Sequence, residues 1–229
     1  MNYVLICAMD SEANGFRAML ADRKDELCGG LLFSSGTISS VPVTVVKCGV
    51  GKVNAALCAQ TAILRYAPKA VINVGVAGGV GTGIRTGHVV IGSETVQYDF
   101  DLTAIGEEDG LVYPCDEELA RRLYRCALSV LPKDRVSLGR IATGDRFVGD
   151  SDTASRIRDH YASLACEMEG GSVAQVCAQN GVPCGVLRAI SDNANEHSDV
   201  DFPTFLASAV AETEKIILAF LASGKADLL

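Results

Sequence analysis

No tryptophan occurs among the 229 residues, and proline (6) and histidine (3) are scarce. So little proline argues against flexible or polyproline linkers and leaves the turns to 23 glycines. His88, His160 and His197 have no ligand spacing to one another, so no metal site is expected. The 9 cysteines are an odd number spread along the chain, none closer than Cys177 and Cys184, which excludes a disulfide ladder and a CxxC zinc site. Reduced thiols suit a cytoplasmic protein. No apolar stretch reaches the roughly 18 residues of a spanning helix, and Met1 to Cys7 lacks the basic flank of a leader. No basic cluster offsets the net charge of −8, which excludes nucleic acid and anionic membranes as partners. Internal repeats and low-complexity tracts are missing as well.

What is present is a core-forming composition: 48% of residues are hydrophobic and 21% charged, which predicts a single domain over residues 1–229. Short β-branched runs predict buried strands over Tyr3 to Cys7, Val41 to Lys47, Ala70 to Val76, His88 to Ile91, Leu164 to Met168 and Cys184 to Ile190. Amphipathic spacing predicts helices over Lys52 to Tyr66, Glu117 to Leu131, Gly170 to Asn180 and Thr204 to Leu221. The acidic run Gly106 to Gly110 reads as an exposed loop. Alternating strands and helices imply a three-layer α/β/α sandwich around a twisted, mostly parallel mixed sheet.

Ligands of such sheets sit at the carboxyl ends of strands, which singles out Ala8 to Glu12, Gly75 to Gly83, Cys166 to Gly170 and Ser191 to Asn193. The glycine-rich stretch containing Ala77 and Gly78 fits neither GxGxxG nor a P-loop; it serves either as a tight strand-to-helix turn or as a place where backbone amides approach a ligand. Glu167 and Glu169, two apart at a strand end, share a face, and burying both together is costly, so one is expected to leave strand geometry. Asp192 is a candidate acid, its bland alternative being an Asx turn or helix cap, and Asp10 and Glu12 have the same alternative. Several carboxylates and Arg188 at strand ends suit acid–base chemistry on a neutral, polyhydroxylated ligand whose identity these residues leave open.

Taken in order, Ile6-Cys7-Ala8-Met9-Asp10-Ser11-Glu12, Cys48 to Ala56, Asn73-Val74-Gly75-Val76-Ala77-Gly78-Gly79, Ala142 to Val148, Glu167-Met168-Glu169 and Leu187 to Asp192 resemble the 5'-methylthioadenosine/S-adenosylhomocysteine nucleosidases of the purine nucleoside phosphorylase family. The resemblance spans nearly the whole chain. It implies a nucleoside phosphorylase-like fold, no cofactor or metal, a homodimer, and hydrolysis of the N-glycosidic bond of 5'-methylthioadenosine, S-adenosylhomocysteine and also 5'-deoxyadenosine. It further implies Glu12 as the group that activates water, Asp192 as the acid that protonates N7 of adenine, and Arg188 as support for water and carboxylate. Met168 and Glu169 would contact the ribose, Phe147 would pack on the base, and the Val148 backbone would read its edge. Met9, Val50, Phe202 and Leu102 would wall the sugar and sulfur, with Ala77, Gly78, Glu167 and Ser191 completing the substrate contacts.

Two departures accompany the resemblance. Val76 stands where many relatives have serine, and Ile105 and Glu107 replace aromatics that cross the dimer to cover the 5' substituent, so Leu102 and Ile105 are the expected contribution of a neighbouring subunit. A phosphate-dependent phosphorylase of the same fold would need an arginine cradle that the sequence does not offer. A non-catalytic nucleoside binder would not need both Glu12 and Asp192.

Overall fold

Successive residues of the first strand divide between two hydrophobic cores, and that division sets the layers. The computed structural model describes residues 2–195 and 197–223. Its strands are β1 (Tyr3–Cys7), β2 (Ala21–Cys28), β3 (Leu31–Ile38), β4 (Val41–Lys47), β5 (Ala70–Gly79), β6 (Val89–Asp101), β7 (Asp109–Pro114), β8 (Val136–Thr143), β9 (Ala165–Glu167) and β10 (Cys184–Asp192). Its helices are α1 (Asp10–Ala18), α2 (Lys52–Tyr66), α3 (Glu117–Val130), α4 (Ser151–Tyr161), α5 (Gly170–Asn180) and α6 (Ser198–Ser223). Tyr3, Leu5 and Cys7 pack with Phe16 of α1, Leu119 and Leu123 of α3, and Ile216, Ile217 and Phe220 of α6. Val4 and Ile6 turn the other way, against Ala55, Cys58, Ala59 and Ala62 of α2 and Val173, Ala174 and Cys177 of α5. Period-two alternation in a strand buried on both faces thus gives helix, sheet and helix, as expected.

The sheet is mixed. Parallel pairings join β1 to β4 and β5, β5 to β10, β6 to β8, and β8 to β9. Antiparallel ones join β2 to β3, β3 to β4, β5 to β9, β6 to β7, and β6 to β10. Because β5 pairs with both β9 and β10, the strands β5, β10, β6, β8 and β9 close on themselves, while β1, β4, β3 and β2 extend as an open wing. Register shifts at Gly92/Glu94 and Ile190/Asp192 bend β6 and β10 enough for the closure.

Several boundaries predicted from pattern coincide with the structure, among them β1, β4, α2 and α5. Two expectations need correction, and the orientation of α2 is a further finding. The segment Gly75 to Gly79 is not a turn leading into a helix: it continues β5, and the next element is β6. Asp109 and Gly110 are not exposed loop but open β7, paired to β6. On α2 the small residues face the sheet, and the larger Val53, Leu57 and Leu64 are exposed by 78%, 55% and 77%. The helix sits close because alanine and cysteine meet the sheet, which leaves its apolar stripe outward.

Phe220 fixes α6 to β1: it is fully buried, its ring lies edge-on to Tyr3 at 5.4 Å between centroids, and the Arg122 guanidinium sits 4.7 Å over it. Phe220→Ala is expected to lower the unfolding free energy by about 3–5 kcal/mol, read from the denaturant midpoint at unchanged slope.

Candidate active site

A pocket of about 150 Å³ opens where β1, β5 and β10 end side by side. Chain direction explains the place: the last residues of neighbouring parallel strands present their side chains and following turns at one end.

Glu12 is the third residue of α1, a helix whose first residues have no carbonyl partner for their amides. Its side chain folds back so that Oε2 accepts the N–H of Ala8 (2.9 Å) and of Met9 (3.0 Å). Its Oε1 accepts the N–H of Val76 on β5 at 3.0 Å. The expected cap is therefore real, and it holds the carboxylate, buried, in the pocket wall. Burial raises the Glu12 pKa above the ordinary carboxylate value, against the opposing pull of Arg188 and the three amides. Gly75 is required beside it: a Cβ there would lie 2.4 Å from Glu12 Oε1 and 2.9 Å from Arg188 Nη1. The glycine makes room for side chains, and the amide after it serves Glu12.

Arg188, fully buried within β10, stands behind the pocket lining. Its Nη2 donates to Glu167 Oε2 and to Asn73 Oδ1 and lies 3.5 Å from Glu169 Oε2. Burial alone would pull its pKa down; Glu167, Glu169 and Glu12 override this and hold the guanidinium charged. Glu167 ends β9 and accepts further from the Thr143 hydroxyl and from the N–H groups of Glu169 (2.9 Å) and Gly170 (2.7 Å). Glu169 has left strand geometry, as the charge argument required, and precedes α5. Its Oε1 accepts the Gly51 N–H at 2.9 Å. Burial first, then repulsion from Glu167, push Glu169 up to about 7, with Arg188 and the Gly51 amide opposing.

Across the pocket Asp192 ends β10, buried. Its Oδ1 accepts the Ala194 N–H at 2.9 Å, an Asx turn, and its Oδ2 accepts the Ser191 hydroxyl at 2.9 Å. The bland reading and the functional one are therefore compatible: the turn orients the carboxyl that lines the pocket. Gly78 allows this approach, since a Cβ there would lie 3.0 Å from Asp192 Oδ1. Phe147 and Phe202 meet edge to face at 5.9 Å and form an aromatic corner.

Of the residues singled out from sequence, Met9, Glu12, Val50, Ala77, Gly78, Phe147, Val148, Glu167, Met168, Glu169, Ser191, Asp192 and Phe202 all line this pocket, as does Val76. Arg188 does not line it and acts from behind. Leu102 and Ile105 lie outside it on the exposed connection between β6 and β7. Sequence reasoning gave no role to Arg146 in the lining or to Asn73, Thr143 and Gly51 behind it, and reached Cys166 only as the first residue of a strand-end segment. Only Gly51 carried a signal, as a glycine with φ 99° preceding a helix.

A family model of the phosphorylase superfamily matches residues 2–222, and the 5'-methylthioadenosine/S-adenosylhomocysteine nucleosidase of Geobacillus thermodenitrificans is 36% identical over 228 residues, covering 96% of each chain. The chain belongs to this nucleosidase family within the phosphorylase superfamily. The Bacillus velezensis nucleosidase is 38% identical over 225 residues, 95% of this chain and 97% of that one. The crystal structure of the Neisseria meningitidis nucleosidase in complex with methylthio-immucillin-A superposes with a TM-score of 0.93 at 34% identity, covering 97% of this chain and 99% of that chain.

The raised Glu169 pKa has a stability consequence in this nucleosidase-family site. A carboxyl moved from 4.5 to about 7 on folding stabilises the fold fully below pH 4.5 and loses that contribution as pH rises through about 7. Melting temperature is expected to fall between pH 5 and pH 8, and Glu169→Gln should flatten that fall. An unchanged slope in the variant would contradict the assignment.

Proposed function

We propose that the protein hydrolyses the N-glycosidic bond of 5'-methylthioadenosine and S-adenosylhomocysteine, and accepts 5'-deoxyadenosine, releasing adenine and the substituted ribose. The observation that carries this reading is the placing of two buried carboxyl groups, Glu12 and Asp192, at the ends of β1 and β10 with only β5 between. Two strand spacings amount to about 10 Å, room for a sugar at one side and its base at the other.

In this mechanism Glu12 takes a proton from water as the water oxygen bonds to the anomeric carbon. The bond to N9 breaks and its electron pair enters the purine. Asp192 donates a proton to N7, so adenine leaves neutral. Positive charge building on the sugar meets Glu12 and Glu169, which are already oriented by backbone amides and need no rearrangement. Burial that raises the Glu12 pKa makes it a stronger base than an exposed carboxylate. Phe147 stacks on the base, Val148 presents its backbone to the base edge, Met168 and Glu169 hold the ribose, and Met9, Val50 and Phe202 enclose the sulfur side. Arg188 keeps three carboxylates from repelling one another.

Phosphate fits the same space poorly. Arg146 is the cation among the lining residues and pairs with Asp150 at 2.9 Å, whereas Arg188 is committed to Glu167. Adenine release from 5'-methylthioadenosine is therefore expected to proceed at the same rate with and without phosphate. Glu12→Gln and Asp192→Asn should each lower kcat by about 10²-fold or more in folded protein, and inosine should not react. Strict dependence on phosphate, or near-parental turnover in either variant, would overturn the reading.

The working unit in this reading is a homodimer. Ile105 (74% exposed), Leu102, Val112 and the outward stripe of α2 leave more apolar surface in water than a lone chain favours. Residues 1–229 act as one domain, and nine free cysteines, all but Cys28 buried, fit a reducing cytoplasm. With Ile105 and Glu107 in place of aromatics, selection at the 5' position is weak. Ile105→Phe should raise the preference for the methylthio substrate over 5'-deoxyadenosine, and sedimentation should show a dimer at assay concentration. A fully active monomer would exclude the partner's contribution.

A further inference from the structure

Helix α2 begins without a side-chain cap of its own, at Gly51, and with no acidic residue in its first turn. Its first two amides are instead taken by carboxylates distant in sequence. The Gly51 N–H goes to Glu169 Oε1 at 2.9 Å, and the Lys52 N–H goes to Asp145 Oδ1 at 2.7 Å. Asp145 immediately precedes Arg146 and Phe147, in the segment that carries the aromatic wall of the pocket. The same segment is tied a second time: Asp145 N–H donates to Asp99 Oδ2 at 2.9 Å, and Asp99 Oδ1 accepts from Lys52 Nζ at 2.5 Å. A Cβ on Gly51 would lie 3.1 Å from Asp145 Oδ1, so the glycine leaves room for this contact.

We infer that Asp145 is a positioning residue for base recognition: it docks the Phe147 segment on the start of α2, beside the amide that holds the sugar-side carboxylate Glu169. The inference rests on the nucleosidase reading for the identity of the base. The segment between β8 and α4 is neither strand nor helix; Gly144 N–H to the Glu167 carbonyl (3.1 Å) and buried Val148 anchor it on either side, and the Asp145 ties are the ones that join it to the start of α2. Successive donors of one helix start thereby keep the base wall and the sugar wall in register. A residue with a merely structural role would change melting temperature and leave ligand affinity alone.

The test measures adenine binding by calorimetry and the steady-state constants for 5'-methylthioadenosine in the parent protein, Asp145→Ala, Asp145→Asn, Phe147→Ala and the double variant Asp145→Ala/Phe147→Ala. Asp145→Ala is expected to weaken adenine binding and raise KM by about 5- to 30-fold, the factor one capping hydrogen bond is worth, with a smaller change in kcat. Asp145→Asn keeps an acceptor oxygen and should recover most of the loss. In the Phe147→Ala background the Asp145 substitution should add less than about twofold, because the effect runs through the ring. Parental adenine affinity and KM in Asp145→Ala, or losses that multiply fully in the double variant, would overturn the inference. If Asp145→Ala does not fold, Asp99→Ala, which removes the acceptor for the Asp145 N–H from outside the pocket, is expected to weaken adenine binding in the same direction, and parental affinity there overturns it. A parent protein that releases no adenine overturns the functional reading itself, whereas parental turnover with an indifferent Asp145 overturns only this inference.

Discussion

A guanidinium with no access to water stands among three carboxylates, and the site exists because that arrangement holds. Glu167, Glu169 and Glu12 offset the cost of burying the Arg188 charge in the sheet, and Arg188 offsets the repulsion among them. Such a group is intolerant of partial removal: loss of one partner leaves an uncompensated buried charge, typically about 3–5 kcal/mol of destabilisation. The neighbouring backbone follows from it. Gly75 lacks a side chain because Glu12 and Arg188 occupy the volume, Asn73 turns its amide oxygen to the guanidinium while its nitrogen donates to Ile6, and Glu169 leaves strand geometry.

The chemistry draws on two kinds of support. Glu12, Glu169 and Asp192 are held by backbone amides, which cannot rotate away and which sit just after β1 and β10, on β5 and at the start of α2. The aromatic side of the pocket hangs instead on a connecting segment whose position depends on side-chain carboxylates. In the proposed mechanism the groups that would meet developing charge are therefore the more rigid ones, and the groups that would meet the flat base have the more adjustable mounting.

How much of this was readable without coordinates follows from which force made each element. Strands buried on both faces, such as β1, β4 and β10, show as apolar runs, and so do the pocket residues at their ends. By contrast, β2 is Ala21 to Cys28, mostly charged and exposed; it is a strand because β3 pairs with it, a cause that leaves no apolar pattern. Helix α4 is similarly polar and depends on the Asp150 cap and the packing of Ile157 and Tyr161. Residue order also told which carboxylates gather, but not that Arg188 sits behind the lining, because depth below a pocket floor depends on packing that strand spacing does not encode. Amphipathic spacing located α2 but not its orientation, because close approach to the sheet puts alanine and cysteine inward and leaves Val53, Leu57 and Leu64 outward.

The outermost strand decides how the protein meets others of its kind. An uncovered sheet edge offers unpaired amides and carbonyls to any extended chain. Here β2 carries Asp22, Arg23, Lys24, Asp25 and Glu26 in succession, with a register shift between Ala21 and Lys24 and a positive φ at Asp22. A second chain adding there would have to match charges of both signs across a kinked ladder, and Glu26 is already claimed by Arg65 and Tyr66 of α2. Sheet-to-sheet growth into fibres is thereby discouraged at the end of the open wing.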